Sequence, residues 1–141
     1  MDMGDYNLQR FLDAQQGDYE RALTEVRNGR KYSHWIWYIF PQLKGLGMSY
    51  NSQYYGISGK EEAEAYLAHP ILGERLREIT SAFLQLKGKT AQDVFGALDA
   101  MKVLSCMTLF NEVAPDDLFQ QVIDRYYQGK TDEMTKRMLD K

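Results

Sequence analysis

Ser33-His34-Trp35-Ile36-Trp37-Tyr38-Ile39-Phe40-Pro41-Gln42 holds both tryptophans of the chain and one of its two histidines, with no Lys, Arg, Asp or Glu among them. Bulky apolar side chains at every phase cannot all face water, so this stretch belongs at the centre of the core and its conformation decides the fold. Its Trp, Tyr, Ile and Phe content favours a strand by propensity. A strand needs a partner, however, and the one candidate nearby, residues 53–57, is too short to satisfy it. Ser33 suits an N-cap, and Pro41 restricts the residue before it, so the expectation is a short buried helix between them.

Helical punctuation surrounds this centre. Leu8, Phe11, Leu12 and Gln15 have helical spacing with Gly17 as the stop, and Tyr19, Ala22, Leu23 and Val26 repeat it up to Asn28-Gly29. Residues 43–59, with glycines at 45, 47, 56 and 59, read as one long irregular loop, the kind of segment that more often carries function. Ser58-Gly59-Lys60-Glu61 reads as a capping box opening a helix through Ala68. His69-Pro70 marks a junction to a helix running to about Lys87, with Leu72, Leu76, Ile79 and Phe83 inward and Gly88 closing it. Thr90 to Phe95 reads as one capped turn with Asp93 answering Thr90. Leu98 to Val113 is a further helix, uncharged from Val103 to Phe110. Pro115-Asp116-Asp117 starts another, buried through Phe119, Val122, Ile123 and Tyr126. Thr131 opens a last one with Met134 and Met138 inward. The fold class expected is all-α: an irregular, compact, multihelical single domain over residues 1–141 with a buried central aromatic helix, residues 1–5 being a loose leader.

Composition narrows the function classes. The 141 residues are 44% hydrophobic and 13% aromatic, enough for one proper core, and the net charge of −3 provides no basic field for nucleic acid. Cys106 has no second cysteine to pair with and fits a reducing cytoplasm. There is no signal-peptide pattern and no run approaching the ~20 apolar residues of a membrane span. The expectation is a cytoplasmic protein without a membrane partner.

In a helix from Ser33 to Gln42, the side chains of His34, Tyr38 and Gln42 would fall on one stripe, and three polar groups on an apolar helix need partners. Those partners are either the neighbouring backbone or a ligand. His34 and His69 lack a second ligand at metal-site spacing, so no metal is expected, and His69 suits capping the helix after Pro70. Ser105-Cys106 is a minimal nucleophile pattern, but a thiol in an apolar run without elbow glycines reads as packing. Lys102, the last charge before that run, either snorkels to the surface or points its ammonium into a pocket beside the central helix. Arg27, Arg30 and Lys31 precede Ser33, with Lys44 on the other side. Together with a helix N-terminus and Tyr54-Tyr55, they suit an anionic ligand with a flat ring, such as a nucleotide; the plain alternative is a solvated basic edge. Glycines 45, 47 and 56 have no phosphate-loop spacing.

The first motif continued through Leu43-Lys44-Gly45-Leu46-Gly47, the run Ala65-Tyr66-Leu67-Ala68-His69-Pro70-Ile71-Leu72-Gly73-Glu74-Arg75-Leu76, and Lys102-Val103-Leu104-Ser105-Cys106-Met107-Thr108-Leu109-Phe110 resemble the bacterial family known as domain of unknown function eighteen-ten. The likeness runs from about Asn7 to Thr135. It implies a compact, mainly helical fold and brings no activity, cofactor or catalytic residues. Genome labels often call its members calpastatin, but that inhibitor is a largely disordered polar chain, unlike this aromatic-rich sequence.

The functional expectation is a pocket in which the polar stripe, the His69-Pro70 junction and the Lys102 helix meet the glycine-rich loop. Tyr54 or Tyr55 would stack a ring there and Arg30 or Lys102 hold an anion. Ser33, Trp37, Tyr38, Gln42 and His69 would complete the lining, with His34 as the proton-transfer residue of a hydrolase or glycosidase. No cofactor is called for. The rival class is a non-catalytic protein–protein interaction module contacting an unknown partner through Tyr50, Tyr54, Tyr55, Tyr126 and Tyr127.

Overall fold

A computed structural model describes residues 6–140, so the expected leader at 1–5 lies outside the described residues. Helices α1 (Gln9–Gln15), α2 (Tyr19–Arg27), α3 (Ile36–Ile39), α4 (Tyr50–Tyr54), α5 (Lys60–Ala68), α6 (Leu72–Leu84), α7 (Ala91–Val113), α8 (Phe119–Tyr127) and α9 (Glu133–Leu139) follow one another along them. Helix α7 packs against α5, α8, α9 and the central α3, while α6 packs against α2, α5 and α8. The result is all-α, with the aromatic stretch in the middle.

The central helix is shorter than its sequence suggests, and one carboxylate explains why. Glu25 on α2 accepts from the amides of Tyr32 and Ser33 (2.8 and 3.0 Å), the Ser33 hydroxyl (2.6 Å) and the Trp35 indole (2.9 Å). Ser33 is therefore tied to α2 and does not cap. Trp35 takes the N-cap position, and only one turn, Ile36–Ile39, is helical. Trp35, Ile36, Ile39 and Phe40 are nevertheless fully enclosed. Phe95 stands edge-on to Trp35, Phe40 and Phe83, and Phe83 stacks on Tyr126 at 4.0 Å, so an aromatic chain links the centre to α8.

The strand propensity of the stretch survives as one parallel bridge just beyond it. The Ile57 amide donates to Gln42 O (2.8 Å) and the Lys44 amide to Ile57 O (2.7 Å), and no longer strand forms among the described residues. Between these paired points the expected loop contains α4, opened by Ser49, whose hydroxyl accepts from the Ser52 amide at 3.1 Å. Its five residues bury nothing, so no hydrophobic period announces it.

Buried charge fastens this insertion. Arg10 donates to Tyr54 O, Asn7 O, Gly56 O and the Glu62 carboxylate (2.6–3.0 Å), and both charged side chains are nearly sealed from solvent. Glu62 also accepts from the Ser58 amide at 2.8 Å. The expected Ser58–Glu61 box is thus replaced by a Ser58–Glu62 bond, with Gly59 at the N-cap.

Other boundaries follow local chemistry. Thr90 and Asp93 form the expected capping box, and Gly96 (φ 80°, ψ 165°) breaks α7 where the sequence divides it. Helix α6 stops at Leu84, short of Lys87. Asp117 is taken by Arg77 at 2.8 Å, and α8 begins only at Phe119. Asp132 caps α9 in place of Thr131, so that Thr135 is buried, Met138 packs on the core and Met134 faces out. No helix among the described residues is long and apolar enough to cross a membrane.

Candidate functional site

Asp99 lies on α7, one turn before Lys102. Its two oxygens take the Lys31 ammonium at 2.8 Å and the Lys102 ammonium at 3.2 Å. Lys31 is buried over the Trp35 ring (5.0 Å), whereas Lys102 is partly open and lies 6.0 Å from the Trp37 ring. Two cations on one carboxylate leave a unit of positive charge, and Lys102 is the member that solvent reaches.

Lys102 opens onto a cleft of about 300 Å³ between the glycine-rich segment, α7 and the turn before α9. Gln42, Ser52, Ser105 and Asp132 supply its other polar groups; Leu46, Leu98, Met101 and Met134 form its apolar walls. The Gln42 carboxamide has no hydrogen-bond partner among the described residues, while its backbone is held by the Ile57 bridge. Asp132 is already engaged. Its Oδ2 lies 3.0 Å from the Ser105 hydroxyl and caps α9 through the Thr135 amide and hydroxyl. Ser105 also reaches Met101 O at 3.2 Å, within range of its single proton. No imidazole lines the cleft, and the acceptor beside Ser105, Asp132 Oδ2, is committed to the α9 cap. Cys106 is fully enclosed and burial pushes its thiol up, which removes the thiolate a nucleophile needs.

The expected pocket is thus assembled in part. Gln42, Lys102 and the glycine-rich segment meet. Trp37, Tyr38 and Tyr55 stand beside them: Trp37 and Tyr55 line a crevice of about 10 Å³ next to the cleft, and Tyr38 donates to Asp18 while its ring lies 5.1 Å from Tyr55. The Tyr38 hydroxyl is also 3.4 Å from His34 O, the one remnant of the expected stripe. Burial first, and the Asp18 bond second, push the Tyr38 phenol up. His34 itself is exposed outside α3. Arg30 lines a separate groove with Lys31, Lys89 and Asp93 and sits 5.4 Å over the Tyr32 ring. Ser33 is consumed by Glu25. His69 caps α6, its Nδ1 accepting from the amides of Ile71 (3.1 Å) and Leu72 (3.2 Å).

The five tyrosines of the alternative reading differ in exposure and contacts. Tyr50 and Tyr54 are exposed and stack on each other at 5.6 Å, but Tyr126 donates to Phe83 O and Tyr127 to Ala100 O, holding both against the core. Sequence reasoning passed over Glu25, Asp99 and the cleft residues Leu46, Ser52, Leu98, Met101, Asp132 and Met134. Asp99 and Lys102 do stand at i, i+3 on a helix, a spacing that brings charges together. Among the described residues no cluster of three or more His, Cys, Asp or Glu side chains could hold a metal ion.

Residues 5–139 match a family described as protein of unknown function (DUF1810). The crystal structure of the conserved hypothetical protein Rv1873 from Mycobacterium tuberculosis superposes with a TM-score of 0.95 at 41% identity, covering 97% of this chain and 99% of that one. No curated protein matches.

Proposed function

From the premise that the chain belongs to that family of unknown function, we propose that it is a non-catalytic binding domain whose cleft takes a small anion with an apolar body. The carrying observation is the solvent-reached Lys102 ammonium and the unpartnered Gln42 carboxamide beside walls of Leu46, Leu98, Met101 and Met134, with the Asp132 carboxylate tied by Ser105 and Thr135. An ammonium and an amide donor suit a carboxylate or a phosphate monoester. The walls are aliphatic and thioether rather than aromatic, which favours an alkyl body over the flat ring of a nucleotide. A volume of about 300 Å³ sits at the small end of ligand pockets. Hydrolysis finds no support here, because His34 lies elsewhere and the carboxylate beside Ser105 is committed to the α9 cap.

The test is a thermal-shift titration with octanoate and octyl phosphate, with octyl glucoside as the neutral control and adenosine monophosphate as the ring-bearing one. A ligand bound by the native state alone raises the melting temperature. The two alkyl anions should raise it, and Lys102→Ala should weaken them about tenfold, the worth of one charge-assisted hydrogen bond. A response to adenosine monophosphate alone, or none to any alkyl anion, would overturn the reading. The exposed apolar rim favours one further reading, the non-catalytic interaction module. In that case octyl glucoside would act as well as octanoate, and Lys102→Ala would change nothing.

A further inference from the structure

The chain's single thiol is sealed and held protonated, so its exposed sulfur chemistry belongs to methionine. Met48, Met101 and Met134 are 83, 67 and 49% exposed, while Met107 is fully enclosed and Met138 packs on the core. These three, the exposed methionines among the described residues, are not scattered. Met101 and Met134 form walls of the cleft, and Met48 follows the cleft residue Gly47 in the chain. Leu46 and Leu98, the latter 75% exposed, are the other apolar side chains there and have no sulfur to oxidise.

We propose that this methionine rim is a reversible oxidation site through which hydroperoxides change the polarity of the cleft. Each thioether sulfur attacks the terminal peroxide oxygen; the O–O bond breaks and one oxygen atom passes to sulfur. Hydrogen peroxide leaves as water and methionine becomes its sulfoxide, a two-electron oxidation of sulfur. A dithiol reductant reverses it, yielding the thioether, water and a disulfide in the reductant. Sulfoxides turn flexible apolar walls into strongly dipolar ones. A cleft suited to an alkyl body then loses that wall while Lys102 and Gln42 stay unchanged. This loss of binding rests on the function proposed above; the oxidation pattern and the polarity change do not.

The experiment treats the purified full chain with graded hydrogen peroxide and maps oxygen addition by peptide mass spectrometry. Native protein is run in parallel on a hydrophobic-interaction column, alongside the triple variant Met48→Leu/Met101→Leu/Met134→Leu. Oxygen should appear on Met48, Met101 and Met134 before Met107 and Met138, with Cys106 unmodified. The wild type should shift to earlier elution with unchanged helical circular dichroism, and methionine sulfoxide reductase with dithiothreitol should restore it. The triple variant should not shift. Oxidation of Met107 or Met138 as early as the rim, or an equal elution shift in the triple variant, would overturn the proposal. Failure of octanoate to bind native protein would remove the cleft reading and leave these outcomes as decisive as before.

Discussion

The Trp35 indole donates to Glu25 Oε1 at 2.9 Å, so a fully buried aromatic ring of the central stretch is oriented by a carboxylate of α2. Partial burial alone would raise the Glu25 pKa. Hydrogen bonds from the Ser33 hydroxyl, the Tyr32 and Ser33 amides and this indole outweigh it, and hold the carboxyl at about 2, below its ordinary 4.5. A group depressed on folding stabilises fully above its unfolded value and loses that contribution as pH falls through its folded one. The expected outcome is acid destabilisation between about pH 4.5 and 2. Its size is on the order of 1–2 kcal/mol after allowance for solvent screening. Urea melts followed by tryptophan fluorescence should show the gap between wild type and Glu25→Gln closing across that window. A gap of constant size from neutral pH to pH 2 would show that the carboxylate charge is not what the four donors recognise.

Arg10 is the largest single tie between α1 and the α4–α5 segment. Arg10→Ala orphans the carbonyls of Tyr54 and Gly56, leaves Asn7 O with only the residue-10 amide, and leaves Glu62 charged and enclosed. Breaking a buried pair from one side costs about 3–5 kcal/mol. Glu62→Gln should cost less, because a carboxamide still accepts from Ser58 and Arg10 keeps its three carbonyls. Equal destabilisation by the two substitutions, in equilibrium urea unfolding, would contradict this division of roles.

Two glycines are required for different reasons, and alanine separates them. At Gly96 a Cβ meets nothing within 4 Å, but φ 80° with ψ 165° is a region that only glycine enters readily, so Gly96→Ala should cost backbone strain alone, about 1–3 kcal/mol. At Gly73 the Cβ would lie 2.1 Å from the Leu67 carbonyl oxygen, where α5 and α6 meet. Gly73→Ala must separate the two helices and should cost clearly more. Thermal melts of both variants would reverse this ranking if the α5–α6 contact were plastic.

Much of the fold was readable because hydrophobic period and punctuation agree. Tyr19, Ala22, Leu23 and Val26 face inward at helical spacing, and so do Leu72, Leu76, Ile79 and Phe83. The Thr90–Asp93 box, the break at Gly96 and the capping role of His69 are set by residues within a few positions of each other. What escaped is long-range. Ser33 has the chemistry of an N-cap, but a carboxylate eight residues earlier captures it. Helix α4 buries nothing, so only its Ser49 cap could have marked it. Of the candidate site, Lys102 and Gln42 stood out as polar groups beside apolar runs. A start at Thr131 turns Met134 inward, but Asp132 starts the helix and Thr135, one step on, takes the buried position.

Asp99 offers a substitution whose two effects have opposite signs. Its carboxylate compensates Lys31, which is almost sealed from solvent, and also restrains Lys102 at the cleft. Asp99→Asn removes the charge from both. Lys31 then remains buried against the Trp35 ring as an uncompensated ammonium, which should cost on the order of 2–4 kcal/mol. Lys102, already partly exposed, keeps its charge without the Asp99 carboxylate paired to it, so its attraction for an alkyl anion should rise. Roughly a threefold gain in octanoate affinity corresponds to well under 1 kcal/mol, a modest share of one ion pair. The variant should therefore melt earlier alone, yet gain more degrees per unit of octanoate than the wild type. Lys31→Met in the same background should recover the lost stability and leave the affinity gain untouched, because only Lys102 faces the cleft. Weaker octanoate binding in Asp99→Asn, measured by calorimetry well below its melting temperature, would mean that the carboxylate positions Lys102 for the anion rather than competing with it.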